Sequence, residues 1–331
     1  MAQRALLDPT QTVGVETCRD CHDAIVGSWE GTVHEKSLAQ LTQGKTAAEI
    51  LAHVGLGTDR LTAEGSCVRC HFTQESLAGA VQTTAAVSCE SCHGAAAEWI
   101  DVHNSKSLTR AERVSQAKAV GMVHPDDLVA TGRMCFGCHV VDDEQLVNHG
   151  GHVATSSGFE LLSWYSGEVK HNFLVTKPGR SVKSNGDEPM PIPVERRRML
   201  FLVGKLLHLE AELRAMARCA DAPVDAEGHL VQAEGGGPTY GVAHALAIQK
   251  IAQDMAAVTR VLPLKEYDLA LAVMEGVPMT TGHGEEFAAA AAEVGRIAEA
   301  FCTSHDGGGL GAIDPILGAQ RDRVASVGDG R

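Results

Sequence analysis

The sequence predicts a mainly α-helical protein with little regular sheet and a C-terminal helical bundle. Four Cys-x-x-Cys-His pentapeptides lie in the first half of the 331-residue chain, at Cys18–His22, Cys67–His71, Cys89–His93 and Cys135–His139. The second half has no such pentapeptide. Its apolar residues recur with helical spacing instead, which indicates four helices over residues 193–219, 240–262, 263–275 and 283–305.

We therefore expect two domains, which the length allows. The pentapeptides define a first domain over residues 1–175, and the helices define a second over 193–305. A segment rich in Pro and Gly, residues 176–192, is the expected linker, and residues 306–331 form a Gly-rich tail.

Within the first domain, we expect one helix that begins at His22, the histidine of the first motif, and runs to about Leu41, and another from Gly94 to His103. The residues between them at 72–88 are small and polar, which favours a loop with a short helical turn. Pro125 is followed by two aspartates, a pattern typical of a helix start.

The pentapeptides indicate covalently attached haem. In a Cys-x-x-Cys-His unit, the two thiols add to the two vinyl groups of one porphyrin, and the histidine binds the iron. Four units predict four haem c groups. The expected attachment residues are Cys18, Cys21, Cys67, Cys70, Cys89, Cys92, Cys135 and Cys138, and the expected proximal iron ligands are His22, His71, His93 and His139.

A zinc site is the main alternative. Cys67, Cys70, Cys89 and Cys92 also have the spacing of a four-cysteine zinc centre. Zinc does not require a histidine after each second cysteine, and four such histidines by accident have a probability on the order of 10⁻⁵. The same argument disfavours a disulfide framework and a thioredoxin-like redox pair.

The remaining thiols are Cys219 and Cys302, near the ends of predicted helices. They could form one disulfide in an oxidising compartment or remain two separate buried thiols. His208 and His244 lie in apolar helical contexts, which favours core positions over metal ligation.

The composition restricts the partners. The formal charge is −14, which disfavours nucleic acid and anionic membrane surfaces and favours redox partners with a basic docking face. No run approaches the roughly 20 apolar residues that span a bilayer, so we expect no transmembrane segment. An oligomer remains possible.

Haem attachment through thiols requires an extracytoplasmic assembly route. The first residues have no apolar signal-peptide core. We therefore expect a periplasmic or otherwise extracytoplasmic protein whose export leader is not included in this sequence.

Two further histidines follow the haem motifs at helical distances. His34 lies twelve residues after His22, so on a continuous helix it would be about 18 Å along the axis and about 120° off the starting face. His103 lies ten residues after His93, about 15 Å along such a helix. Neither could cap the haem of its own preceding motif, but each could serve another haem.

The first half of the chain resembles the cytochrome c-554 family, the tetrahaem electron carriers associated with hydroxylamine oxidoreductase in ammonia oxidisers. The resemblance lies in Cys18–His22 followed by Ser28-Trp29 and His34, in Gly94 directly after Cys89–His93 with His103 beyond, and in the 32-residue step from His139 to His171. It covers roughly residues 15–175.

The resemblance implies that the haems exchange ligands between motifs. We number the haems by the order of their motifs along the chain. The resemblance makes His103 the sixth ligand of haem 1, His34 that of haem 3, and His171 that of haem 4. In the family, haem 2 keeps only its proximal ligand, here His71. This chain also has His149 and His152. His152 is the candidate sixth ligand of haem 2, His53 and His124 are its alternatives, and Met122 and Met134 are weaker ones.

The function predicted from these features is single-electron transfer between periplasmic or membrane-associated redox proteins, because six-coordinate irons admit no substrate and no acid–base constellation is evident. One alternative is an enzyme that reduces nitric oxide or a related small nitrogen species at a five-coordinate haem 2. The other is a structural subunit of a respiratory complex or of a haem filament.

Overall fold

The computed structural model describes residues 6–156, 158–166, 174–175, 188–189, 192–220 and 233–317. Its helices are α1 Val15–Trp29, α2 Val33–Gln43, α3 Lys45–His53, α4 Gly65–His71, α5 Cys89–His93, α6 Ile100–His103, α7 Arg110–Ala119, α8 Leu128–His139, α9 Glu144–Asn148, α10 Leu161–Ser166, α11 Val194–Met216, α12 Tyr240–Thr259, α13 Lys265–Glu275 and α14 Gly284–Ser304. The mainly α fold class with a C-terminal helical bundle is confirmed.

The strands form two small antiparallel pairs. They are β1 Thr73–Leu77 with β2 Ala80–Ala85, and β3 Leu174–Val175 with β4 Glu188–Pro189. Short 3₁₀ turns occur at Thr58–Arg60, Glu234–Gly236 and Gly311–Ile313. No helix among the described residues is both long and apolar enough to cross a bilayer.

By contacts, the chain divides into two compact units. The N-terminal unit comprises residues 1–134 and 167–191, and the C-terminal unit comprises residues 135–166 and 192–331. The first three haem motifs therefore belong to the N-terminal unit, whereas Cys135–His139 belongs with the C-terminal helices. The domain boundaries expected from the sequence stay a prediction.

The single helix expected from His22 to about Leu41 is wrong. Helix α1 begins earlier, at Val15, is kinked at His22 and ends at Trp29. A second helix, α2, starts at Val33 with Thr32 as its N-cap, where the Thr32 hydroxyl accepts a hydrogen bond from the Glu35 N–H at 3.3 Å. A Thr-x-x-Glu pattern is a helix-start signal, and it overrides the apolar periodicity here. The distance of 18 Å between His22 and His34 consequently does not apply.

The segment at 72–88 is a β-hairpin and not a loop with a helical turn. Its two turn residues both have positive φ, 51° at Ala78 and 82° at Gly79, as the tightest hairpin turns require. Alanine is an unusual residue at such a position. The hairpin is tied down by long-range hydrogen bonds from Thr83 Oγ1 to the Thr62 carbonyl at 2.8 Å and from the Ser76 N–H to the Pro9 carbonyl at 2.9 Å.

The helix expected from Gly94 to His103 is much shorter. Only Ile100–His103 is helical. Gly94 has φ of +84°, and a Cβ atom there would lie 2.5 Å from the Gly121 carbonyl oxygen. Glycine is needed because L side chains rarely adopt this φ and no space exists for one. The chain therefore turns sharply directly after His93.

Two small cores lie among the described residues of the N-terminal unit. Ala47, Leu51, Leu61, Val68 and Phe72 form one, which joins α3 to α4. Ala96, Trp99, Ala117 and Met122 form the other. Each core lies next to motif residues, since Val68 sits between Cys67 and Cys70 and Ala96 follows His93 by three positions.

The C-terminal unit is organised around α11. This helix is buried on nearly all sides and packs against α10, α12 and α14, and its buried side chains include Lys205, Glu210 and Glu212 as well as apolar residues. Gly204 allows the close approach of α10, because a Cβ atom there would lie 3.0 Å from the Leu161 Cβ. Residues 306–317 of the predicted tail also pack here, with Ile313 fully buried and Arg198 hydrogen-bonded to Asp314.

Candidate haem sites

Each Cys-x-x-Cys-His motif lies on a helical turn. Cys18–His22 lies within α1, Cys67–His71 ends α4, Cys89–His93 is α5, and Cys135–His139 ends α8. Residues three and four positions apart share one helix face. The local fold therefore presents two thiols and one imidazole on the same side, as attachment to one edge of a porphyrin requires.

His22 and His103 face each other in the N-terminal unit. Their ring centroids are 6.0 Å apart, and the rings are inclined by 36°. An imidazole nitrogen bonds a transition metal at about 2.0 Å with the ring centroid about 1.2 Å behind it, so two rings that share one metal have centroids roughly 6.4 Å apart. The observed separation fits two axial ligands of one iron.

His93 belongs to the same neighbourhood. Its electrostatic neighbours are His22 and His124, and burial lowers the pKa of His93. Burial also lowers the pKa of His22 and that of His103. Desolvation thus keeps these imidazoles neutral, and the neutral form is the one that binds a metal.

The proximal histidines His93 and His139 are oriented in the same way. His93 Nδ1 lies 2.9 Å from the Val123 carbonyl oxygen, and the Val123 N–H donates back to the His93 carbonyl at 2.9 Å. His139 Nδ1 lies 3.0 Å from Ser156 Oγ, and the Ser156 N–H donates to the His139 carbonyl at 2.9 Å. A bonded Nδ1 directs Nε2 toward a metal, which is the usual outer support of a metal-binding histidine.

Cys18 and Cys89 are neighbours across two motifs. The Cys89 thiol hydrogen-bonds to the Cys18 sulfur, which lowers the pKa of Cys18 and, together with burial, raises the pKa of Cys89. Since Cys18 belongs to the first motif and Cys89 to the third, the attachment edges for haems 1 and 3 lie side by side.

Glu90 holds these two motifs together, a role that the sequence does not predict. Its side chain is 1% exposed and accepts hydrogen bonds from the N–H groups of Val13 at 3.0 Å, Gly14 at 2.9 Å and Ala96 at 2.8 Å. Burial raises the pKa of Glu90, although these three bonds favour its ionised form. The carboxylate links the start of α1 to the third motif and to the segment that leads to His103.

Two buried polar atoms near His103 test whether haem fits here. His22 Nδ1 and Trp99 Nε1 are buried and make no hydrogen bond within the part of the chain that the structure describes. Trp99 is 7% exposed, and its ring lies 5.8 Å from that of His103 in an edge-to-face arrangement. Buried donors are normally satisfied. A flat group with polar substituents would meet both requirements, so the residues fit a haem.

The zinc and disulfide alternatives find no geometric support. Among the described residues, no three His, Cys, Asp or Glu side chains converge as a metal cluster, and the four cysteines of the alternative zinc site are all described. No disulfide joins any of the ten cysteines, all of which are among the described residues, and Cys219 and Cys302 are therefore not bonded to each other.

The other predicted ligands are not brought together in this way. His34 lies half-buried in the first turn of α2, and its pairing with haem 3 stays a prediction. His171 lies outside the described residues. His71 belongs to the N-terminal unit and His152 to the C-terminal unit, where His152 Nδ1 lies 2.8 Å from the Val153 carbonyl oxygen.

The alternatives for haem 2 differ in their surroundings. His53 is exposed at the end of α3. His124 is 9% exposed, and its Nδ1 accepts a hydrogen bond from the Asp126 N–H at 3.3 Å. Met122 is a core residue beside Trp99, as methionines usually are.

The fourth motif is surrounded by aromatic rings of the C-terminal unit. The His139 ring stacks on Phe159 with centroids 3.9 Å apart and lies 4.8 Å from Trp164. Phe136, between the two cysteines of the motif, stacks on His208 at 4.9 Å. His244 is fully buried, as the sequence predicts, whereas His208 is partly exposed; sequence reasoning misses Glu212, which bridges them.

No curated protein and no solved structure matches the chain. The family described as cytochrome c554 and c-prime matches residues 17–94, a range that contains the first three haem motifs. The N-terminal part of this chain is therefore similar to the cytochrome c554 family, and this similarity implies a c-type cytochrome with covalently bound haem c.

Proposed function

We propose that the protein is a tetrahaem c-type cytochrome that transfers single electrons between extracytoplasmic redox proteins. The observation that best supports this function is the pairing of His22 with His103 at 6.0 Å. Each haem, once bound, supplies a one-electron iron couple. The chain supplies its attachment, its axial ligands and its surroundings.

The first task of the chain is to attach and cap the porphyrins. Cys18 and Cys21 would attach haem 1, and His22 and His103 would both ligate its iron. With two histidine ligands in place, a substrate would have no access to that iron. Bis-histidine ligation also lacks the methionine that raises the potential, so a low potential is expected.

The second task is to keep the porphyrins close. Contact between the Cys18 and Cys89 sulfurs supports a short separation between haems 1 and 3. Glu90 maintains that contact through its bonds to both segments. Short edge-to-edge distances favour electron exchange without any chemical step by the protein.

The third task is docking. With a charge of −14 before the propionates are counted, the protein favours partners with a basic face. Association with such a partner should weaken as salt rises, because screening shortens the range of charge attraction.

Low-temperature electron paramagnetic resonance of the purified holoprotein, combined with a haem count, tests the proposal. We expect four haems per chain and low-spin signals from the bis-histidine irons. In His103→Ala, one low-spin signal should become high-spin, whereas His283→Ala, at the N-cap of α14 and outside every candidate ligand set, should change nothing.

Three outcomes would redirect the proposal. If His103→Ala leaves every signal unchanged, His103 is not a ligand and the pairing is wrong. A high-spin ferric signal in the unmodified protein would favour the alternative function, reduction of nitric oxide or a related nitrogen species at a five-coordinate haem 2. A defined multimer in a size measurement would favour the structural role.

A further inference from the structure

Three side chains form a continuous hydrogen-bonded chain inside the C-terminal unit. His208 Nε2 lies 3.0 Å from Glu212 Oε1, and Glu212 Oε2 lies 2.5 Å from His244 Nδ1. His244 Nε2 then lies 3.1 Å from the Val141 carbonyl oxygen. We call His208, Glu212 and His244 the buried triad.

The hydrogen-bond geometry places one shared proton in the pair Glu212 and His244. Both ring nitrogens of His244 lie beside oxygen atoms, and the Val141 carbonyl can only accept, so Nε2 donates to it while a further proton lies between Nδ1 and the Glu212 carboxyl group. Glu212 and His244 are fully buried, so an ionised Glu212 requires a cation beside it. Burial opposes its charge, but the bonds from His208 and His244 outweigh burial and lower the pKa of Glu212.

Both ends of the triad touch the fourth haem motif. Val141, which accepts the bond from His244, follows His139 by two positions. At the other end, the His208 ring stacks on Phe136, which lies between Cys135 and Cys138. Phe136 contacts Phe159 at 5.2 Å, and Phe159 stacks on His139, so two aromatic rings separate His208 from the ligand.

The other charged groups on the packed elements have partners of their own. Four ion pairs lie here: Lys205 with Asp254, Lys250 with the same Asp254, Arg214 with Glu210, and Arg218 with Asp142. Two further carboxylates accept hydrogen bonds from backbone N–H groups: Glu144 from Ala220, and Glu160 from Leu162 and Ser163. On α13 and α14, Glu266 faces His305, Arg296 pairs with Glu293, and Glu286 faces His283. The Tyr240 ring lies 4.3 Å from His244, and its hydroxyl donates to the Ala215 carbonyl at 2.9 Å.

We propose that the buried triad binds one proton more when haem 4 is in its reduced state than when it is oxidised. An electron added at the fourth motif introduces negative charge into a water-poor interior, where charges interact strongly. A proton added to the His208 ring, beside the Glu212 carboxylate, compensates that charge. The electron comes from the redox partner. The proton comes from solvent through His208, whose side chain is 18% exposed while Glu212 and His244 are sealed.

This inference rests on the proposed function, because it requires haem on Cys135 and Cys138. It also goes beyond that function, since a simple electron carrier needs no proton. The triad residues act as positioning and proton-holding residues and do not touch the iron. His244 and Glu212 additionally hold the backbone after His139 in place.

Potentiometric titration of the holoprotein between about pH 5 and 9 tests the proposal. For one haem, the reduction equilibrium constant should fall up to tenfold per pH unit, equivalent to about 59 mV for one electron. In Glu212→Gln, which keeps the size and one acceptor, this slope should disappear. The matched control is Glu210→Gln, a carboxylate on the same helix that is 2% exposed and paired with Arg214, and it should keep the slope.

The outcomes are distinct. A slope that persists unchanged in Glu212→Gln assigns the proton to another group, such as a propionate, and overturns the inference. So does a wild-type protein without any pH-dependent haem. If Glu212→Gln does not fold, His208→Gln at the exposed end of the triad gives the same test. Mass analysis of the peptide with Cys135 and Cys138 separates the two proposals, because absence of haem there overturns both, whereas haem without a slope overturns this one alone.

Discussion

Glu90 makes a specific prediction about what holds the first and third haem motifs together. The Glu90→Ala substitution removes the acceptor for the N–H groups of Val13, Gly14 and Ala96. A buried backbone donor without a partner costs about 1–3 kcal/mol, and water entering the space left by the side chain would recover part of this. We therefore expect the free energy of unfolding of the N-terminal unit to fall by about 3–6 kcal/mol.

Glu90→Gln should be milder at neutral pH. The amide keeps one oxygen acceptor but turns an NH₂ group toward a backbone donor, so at least one charge-assisted bond of about 1.5–3 kcal/mol is lost. The pH dependence has a defined sign. Because burial raises the pKa of Glu90 in the folded state, its ionisation costs stability as pH rises from the unfolded pKa through the folded pKa. This cost is absent in Glu90→Gln, so the difference between the two proteins should depend on pH in that window.

Guanidinium unfolding of the holoprotein, followed by circular dichroism of the Soret band, measures these effects. Glu98→Ala is the control, since Glu98 is an exposed glutamate eight positions along the chain. It should change the free energy of unfolding by less than about 0.5 kcal/mol. If Glu90→Ala stays within about 1 kcal/mol of the wild type, the three hydrogen bonds do not hold the motifs together, and the reasoning fails.

Two further predictions concern the backbone after His93 and the end of the described chain. Gly94→Ala should lower the free energy of unfolding by at least about 1–2 kcal/mol, because φ is +84° and the Gly121 carbonyl oxygen blocks a Cβ atom. Denaturant unfolding measures this effect. Gly55→Ala is the control for φ alone, since Gly55 also has a positive φ but has open space around it. Arg198→Ala should free the segment around Asp314 and speed the proteolysis of that segment. Because the Arg198 guanidinium lowers the pKa of Asp314, protection of this segment from proteolysis in the wild type should be present above about pH 4 and be lost as pH falls. Equal cleavage of both proteins at neutral pH would contradict the second prediction.

The sequence by itself determines the chemistry of the sites to a large extent. A Cys-x-x-Cys-His pentapeptide determines the relative positions of its two thiols and its imidazole, because one helical turn places residues three and four apart on one face. The mainly α class and the C-terminal helices follow from local apolar periodicity. The end of α3 at His53 and the start of α12 at Tyr240 can also be predicted from the sequence, since both depend on neighbouring residues.

Local patterns mislead where a short signal competes with a longer one. The Thr32-x-x-Glu35 cap starts a new helix at Val33 and thereby divides the single helix that apolar periodicity predicts. The cap pattern itself can be recognised in the sequence. The sequence does not predict the hairpin, because its turn has Ala78 at φ 51° where Asn or Asp is typical, and its supporting bonds go to the distant residues Thr62 and Pro9.

Only the tertiary structure decides which distant residues share one site. The approach of His103 to His22 depends on the turn at Gly94 and on Glu90, whose partners lie up to 77 positions away. The bridge from His208 through Glu212 to His244 spans two helices and ends 103 positions away at Val141. The physical reason is that ligand spacing within a motif is encoded in a few adjacent dihedral angles, whereas burial and hydrogen bonding between remote segments depend on the packing of the whole unit.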